Sequence, residues 1–264
     1  MAVYEGRKFC RPQIMGIVNA TPDSFHKDSR NGDINQAKSM LENGANWIDI
    51  GGESTRPGSN PISIEEEIER VIPIVKEISK YGLVSIDTRN FEVAKKAIEN
   101  GASMVNDVSG LRDERMFELI IEKQCYVCVM HMQGEPGNMQ KNPNYNDVCE
   151  EVFGYLISKA EQLVSRGLPI EKIYLDPGIG FGKLLDHNLE LLRKSELLRP
   201  YKILWGVSRK SMIGQICDQD DTENRLSGTL AVAAKAFFEG IDIIRVHDVR
   251  EHSDLFAVLE KLEA

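Results

Sequence analysis

Short runs of apolar residues alternate along the whole chain with longer stretches whose apolar positions recur every three to four residues. The runs at 13–18, 46–50, 84–86, 103–106, 125–130, 173–175, 203–206 and 242–246 read as buried strands, and the stretches between them as amphipathic helices. Ser63 with Glu66 has the spacing of a capping box ahead of a helix running toward Lys80, and 150–165 reads as a long amphipathic helix. Strict βα alternation over eight units predicts an α/β protein, a single (β/α)8 TIM barrel with its active site at the C-terminal ends of the strands. A doubly wound open sheet is the alternative.

Punctuation supports the barrel. Gly44, Gly82, Gly101 and Gly240 each follow a helical stretch, as residues that end helices in the left-handed conformation do, and each precedes an apolar run. Five residues on from these glycines stand Asp49, Asp87, Asn106 and Arg245. A buried strand has no structural use for such groups, whereas the C-terminal rim of a barrel is where chemistry sits.

A chain of 264 residues is close to the roughly 250 that a TIM barrel needs, and no linker or low-complexity stretch divides it, so 1–264 is expected to be one domain. A net charge of −9 argues against nucleic acid and anionic membranes as partners and leaves small molecules. No apolar run approaches the roughly 20 residues of a membrane span. Five cysteines, an odd number, with no signal-peptide pattern at the start lead to the expectation of reduced thiols in a cytoplasmic protein. Cys125 and Cys128 have the spacing of a redox or zinc pair, but in a strand residues three apart point to opposite faces, so they are expected to be core residues.

The polar loops carry the chemistry. After the first strand comes Asn19-Ala20-Thr21-Pro22-Asp23-Ser24-Phe25, longer than a tight turn, and after the second comes Gly51-Gly52-Glu53-Ser54-Thr55-Arg56-Pro57-Gly58. The sixth strand runs into Asp176-Pro177-Gly178-Ile179-Gly180-Phe181-Gly182-Lys183, which lacks the first Gly and the final Ser/Thr of a Walker A loop. Lys210 after the seventh strand, with Arg245 and His247 at the eighth, supplies cationic donors where many barrels hold a phosphate. Opposite them Asp87, Asn106 and Asp176 suit an electron-poor heterocycle that presents several N–H donors and a carbonyl.

With Met15-Gly16-Ile17-Val18, Ser85-Ile86-Asp87-Thr88, Asn106-Asp107-Val108-Ser109-Gly110, Ser208-Arg209-Lys210-Ser211 and Arg245-Val246-His247-Asp248, these phrases resemble the dihydropteroate synthase family from about Ile14 to Val249. The resemblance implies condensation of 6-hydroxymethyl-7,8-dihydropterin pyrophosphate with p-aminobenzoate, giving 7,8-dihydropteroate and pyrophosphate in folate biosynthesis. It implies that Asp87, Asn106, Val108, Met130, Asp176, Lys210 and Arg245 bind the pterin, and that Asn19, Arg245 and His247 hold the pyrophosphate with Mg²⁺ at Asn19. Thr55, Arg56, Pro57, Phe181 and Ser211 would surround the p-aminobenzoate, where sulfonamides would compete, and a homodimer would form on the later helices. The expected mechanism is a dissociative substitution. Asp87, Asp176, Lys210, Arg245 and His247 would be its catalytic groups, stabilising a cationic pterin and a departing pyrophosphate.

Three further points belong to this reading. The stretch His26-Lys27-Asp28-Ser29-Arg30 departs from the Ser-Asp-Gly-Gly-like run of the family's first loop, and His26 and Lys27 are expected to be exposed. His131 is expected to be a hydrogen-bonded core residue, His187 and His252 surface residues, and Asp49 a support for the Arg56 loop. A corrinoid-dependent methyltransferase barrel also grips a pterin with acidic and amide groups, but it has no use for the Lys210, Arg245 and His247 anion site. A non-catalytic paralogue would be expected to have lost some of these groups.

Overall fold

A computed structural model describes residues 11–20, 27–53, 62–135 and 137–263, with the backbone alone over 27–30. Eight strands, β1 (Gln13–Asn19), β2 (Trp47–Gly51), β3 (Leu83–Asp87), β4 (Met104–Asp107), β5 (Tyr126–Met130), β6 (Ile173–Asp176), β7 (Lys202–Gly206) and β8 (Ile243–Val246), pair in parallel and close in chain order. The doubly wound alternative is thereby excluded. Helices α1 (Lys27–Glu42), α2 (Ile64–Ile78), α3 (Phe91–Glu99), α4 (Glu114–Lys123), α5 (Val148–Ser165), α6 (Leu185–Lys194), α7 (Ser211–Cys217), α8 (Leu226–Glu239) and α9 (Val249–Leu262) surround the barrel.

Each strand divides its side chains between two cores, because successive residues face opposite ways. The large core lies between strands and helices and includes Ile48, Ile50, Val105, Val127, Ile203 and Ile244. A second, separate cluster of Met15, Trp47, Met104, Cys128, Tyr174, Leu204 and Ile243 plugs the barrel interior. Cys125 falls in the outer core and Cys128 in the plug, so the pair faces opposite sides as expected. Among the described residues, Cys125, Cys128, Cys149 and Cys217 are free.

The alternation also sets what lies above the plug. Two residues beyond Trp47, Met104, Cys128, Tyr174, Leu204 and Ile243 come Asp49, Asn106, Met130, Asp176, Gly206 and Arg245. The apolar plug therefore gives way, one inward step later, to a polar layer with one apolar member.

Local signals held with three corrections. Ser63 caps α2, its Oγ accepting from the Glu66 amide at 3.1 Å, but the Glu66 carboxylate turns to Arg70 instead of completing the box. Gly44, Gly101 and Gly240 have φ of +103°, +106° and +66°, as helix-ending glycines do. Gly82 does not share that conformation. Its reason is space, since a Cβ there would come within 2.7 Å of Leu41 Cδ2. His252 is also not a surface residue: it is fully buried in α9, its Nδ1 2.6 Å from the Asp248 carbonyl. No helix among the described residues is long and apolar enough to cross a membrane.

Candidate active site

The polar layer is built around Arg245. Its Nε donates to Asp49 Oδ2 at 2.5 Å and an Nη to Asp87 Oδ2 at 2.7 Å, while Asn106 Nδ2 donates to the same Asp49 oxygen at 3.1 Å. Register explains the depths. Asp49 pairs with Ser85, whereas Asp87 pairs with Gly51 and Asn106, so Asp49 lies a step deeper and is fully buried. Arg56, the expected neighbour of Asp49, lies outside the described residues, and the groups that Asp49 does hold are Arg245 and Asn106.

Two glycines keep this layer open. Gly51 and Gly206 stand in register with Asp87 and Arg245. A Cβ on Gly51 would sit 3.6 Å from Asp87 Oδ2, and one on Gly206 would sit 3.6 Å from Asp176 Oδ2 and 3.8 Å from Lys210 Nζ. A side chain at either position would stand against the carboxylate beside it.

Burial dominates the electrostatics of this layer. Burial pushes Asp87 up to about 7, Arg245 resisting and Asp49 reinforcing the shift. Burial also raises Asp176, resisted by Lys210 and by the Gly178 amide that donates to its Oδ1 at 2.8 Å. Lys210 is drawn down to about 8 by the same desolvation, with Asp176 opposing. Arg245 stays a cation: burial works against its charge, but Asp49 and Asp87 more than offset it. Asp49 Oδ1 and Asp87 Oδ1 are buried with no hydrogen-bond partner. Unmatched buried acceptors are rare in folded proteins, and here they fit a ligand rich in N–H donors.

The walls come from the loops. Lys210 caps the start of α7, and its Nζ donates to the Ile179 carbonyl while lying 4.4 Å above the Phe181 ring. Val108, Met130, Met132 and Met139 form an apolar cluster against which Phe181 packs. At β8, Ser208 Oγ accepts the His247 amide at 3.2 Å and lies 3.0 Å from its Nδ1, which orients the imidazole ring. Arg209 makes a two-pronged pair with Asp248 at 2.7 and 2.9 Å, tying the loops after β7 and β8 together. Asn19, at the exposed end of β1, pairs in register with Gly51, and Ser211 is exposed at the first turn of α7.

Thr55, Arg56 and Pro57 lie outside the described residues, as does His26. The loop that carries the first three is rooted by α2: Arg70 donates to the Gly52 carbonyl at 2.9 Å, and Gly52 packs so closely that a Cβ would meet Val71 Cγ1 at 2.8 Å. Glu67, fully buried on the same helix, accepts from Thr88 Oγ1 and Asn90 Nδ2, each at 2.6 Å, and so shapes the end of β3.

His131 is a hydrogen-bonded, partly buried residue, as expected, and burial holds it down to about 3. His187 is at the start of α6, its Nδ1 accepting the Leu184 amide at 3.2 Å. Sequence reasoning missed the roles of Asp107, which is buried and accepts from Ser109 and Leu111 to shape the turn after β4, and of Lys183. Position in a motif marked both residues, but their partners depend on how the loops fold back.

Residues 15–247 match the family model described as pterin binding enzyme. A dihydropteroate synthase of Neisseria meningitidis serogroup C is 43% identical, over 96% of this chain and 93% of its own length. A Yersinia pestis dihydropteroate synthase solved with a sulfonamide drug complex superposes with a TM-score of 0.88 at 38% identity, covering 97% of this chain and 96% of that one. The Thermus thermophilus dihydropteroate synthase in complex with 4-aminobenzoate gives 0.86 at 39% identity, covering 97% and 96%.

Proposed function

This chain belongs to the pterin binding enzymes and, among them, to the dihydropteroate synthase family, and from that premise we propose how its residues divide the work. The chain is a transferase that joins 6-hydroxymethyl-7,8-dihydropterin pyrophosphate to p-aminobenzoate, releasing pyrophosphate, within a single barrel domain. The observation that carries this reading is the cluster of Asp49, Asp87, Asn106, Asp176, Lys210 and Arg245 above the apolar plug, with two buried carboxylate oxygens unpartnered.

A pterin presents N–H donors along one edge and a carbonyl on the ring. Asp87, Asp176 and Asn106 bind the donors and Lys210 the carbonyl, with Met130 and Val108 on one face and the Arg245 guanidinium toward the other. Bond breaking puts positive charge on the pterin methylene and negative charge on the leaving pyrophosphate. The paired carboxylates stabilise the first, while Arg245, His247 and Asn19 stabilise the second. The C–O bond breaks first, its electron pair leaving with the pyrophosphate; the arylamine lone pair then forms the C–N bond to the cationic methylene, and the surplus proton on that nitrogen passes to the released pyrophosphate or to water. No strong base is required, because the arylamine is neutral at pH 7. Thr55, Arg56, Pro57, Phe181 and Ser211 form the arylamine subsite, where sulfonamides compete.

Asn19 fits a Mg²⁺ that arrives with the diphosphate, since this ion is held by few protein oxygens alongside phosphate and water. When bound it would supply charge neutralisation of the leaving group. The described residues offer one three-membered group of His, Cys, Asp or Glu, namely Asp147, Cys149 and Glu190, and its thiol is a ligand Mg²⁺ does not favour. A cytoplasmic homodimer on the later helices completes the reading, and the exposed Ile216 of α7 and Val258 of α9 are consistent with it.

The test is pyrophosphate release on mixing the two substrates, with and without Mg²⁺. Release that requires both substrates supports the proposal, and tight binding of methyltetrahydrofolate without release overturns it.

A further inference from the structure

Lys183 closes the motif after β6, takes no part in the chemistry above, and is only 4% exposed. Its ammonium donates to the Phe181 carbonyl at 2.9 Å and the His131 carbonyl at 3.2 Å, and lies 3.2 Å from His131 Nδ1. The ammonium thus meets two carbonyl acceptors and, in the tautomer protonated at Nε2, the His131 Nδ1 as a third, and these groups belong to two different loops. A buried ammonium with no carboxylate in direct contact is unfavourable, and burial draws this one down to about 7. Nothing in packing alone calls for a cation at this place.

The clamp brings the loops after β5 and β6 into backbone contact. At Gly182, with φ of +63°, a Cβ would lie 2.6 Å from the Gln133 carbonyl oxygen. Tyr145 Oη reinforces the contact, donating to the Gly182 carbonyl at 2.9 Å, and Gln140 Nε2 donates to the Gly180 carbonyl at 2.6 Å. Between these anchors stands Phe181, with Lys210 Nζ over its ring. The carboxylates, Asn106, Met130 and Arg245 that grip the pterin sit on strands, with Lys210 at the start of α7 and Val108 just after β4, whereas Phe181 depends on the loop after β6.

We propose that Lys183 is a positioning residue for the arylamine subsite: by clamping the Phe181 carbonyl to His131, it holds the Phe181 ring where it walls the incoming amine. The proposal rests on the reading of Phe181 as an arylamine contact. Small misplacements of positioning groups have large kinetic effects, so Lys183→Met is expected to raise KM for p-aminobenzoate roughly tenfold and to leave KM for the pterin pyrophosphate within about twofold. Tyr145→Phe, which removes only the outer anchor and is the safer variant for folding, is expected to raise the arylamine KM by about threefold.

Full steady-state kinetics of Lys183→Met, Tyr145→Phe, Phe181→Ala and the Lys183→Met/Phe181→Ala pair form the test, with thermal unfolding run in parallel. Support is an arylamine-selective rise in which the double variant is no worse than Phe181→Ala. A raised arylamine KM in Phe181→Ala alongside unaltered values in Lys183→Met and Tyr145→Phe overturns the proposal alone. An equal rise in both KM values, or additive effects in the double variant, also overturns it. An unaltered arylamine KM in Phe181→Ala removes Phe181 from the subsite, and the proposal falls with it.

Discussion

Replacing Asp49 by Asn probes the centre of the site without changing its shape. Asp49 Oδ2 receives both Arg245 Nε and Asn106 Nδ2, and an Asn carbonyl oxygen placed there accepts both. Two things change. The Arg245 bond loses its ionised acceptor, a difference of about 1 kcal/mol between charge-assisted and neutral hydrogen bonds. The Asn amide also puts an NH₂ where the buried, partnerless Oδ1 now stands, which exchanges one unsatisfied buried atom for another and adds no further net loss. The predicted loss is about 1 kcal/mol, which in a chain of this size lowers Tm by roughly 2–4 °C. Arg245 then keeps a carboxylate partner only in Asp87, and weaker anchoring of this preorganised contact to developing charge predicts a fall in kcat/KM of about 10²-fold. Circular dichroism melting and continuous pyrophosphate release measure the two effects. An unchanged Tm with kcat/KM within roughly threefold of the unaltered chain would refute the claim that Asp49 orients Arg245.

Three further outcomes are expected. Burial raises Asp87 to about 7 and lowers Lys210 to about 8, so the carboxylate acceptor is present only above the first value and the ammonium donor only below the second. A bell-shaped kcat/KM against pH follows, and Asp87→Asn should abolish its acid limb. The folded chain also keeps the Asp87 proton that the unfolded chain releases, so the unliganded protein should lose stability as pH rises from about 4 to about 7 in melts across that range. Ser208→Ala removes the hydroxyl that orients His247 and should raise KM for the pterin pyrophosphate roughly tenfold with the arylamine KM unaltered, as steady-state kinetics would show. Gly206→Ala adds a methyl between Asp176 and Lys210 at ordinary contact distance, so pterin affinity by titration calorimetry should fall while Tm holds.

Much of the site was legible in sequence because it rides on strands. Asp87, Asn106 and Arg245 followed from counting forward from glycines, and period-2 alternation puts Asn106 and Arg245 on the same inner face as Met104 and Ile243. The same count worked at Gly82, although that glycine is there for room against Leu41 and not for its backbone angle. His252 misled because its own neighbours in sequence are polar, while α9 turns it toward the barrel. Asp49 lacked a role for a different reason: its main partner stands 196 residues away, and only closure of β8 against β1 brings them together.

The recurring apolar runs, the helix-ending glycines and the polar residues at strand ends are local features, governed by periods of two and 3.6 residues, and they determine the barrel and which side chains reach its rim. Depth and pairing are not local. The stagger between strands puts Asp49 below Asp87, the bare positions at Gly51 and Gly206 matter only beside their registered neighbours, and Lys183 finds its acceptors on a loop that the fold lays against its own. These contacts join residues far apart in the chain. The closed sheet therefore decided which buried charges are paired and which oxygens are left for a ligand.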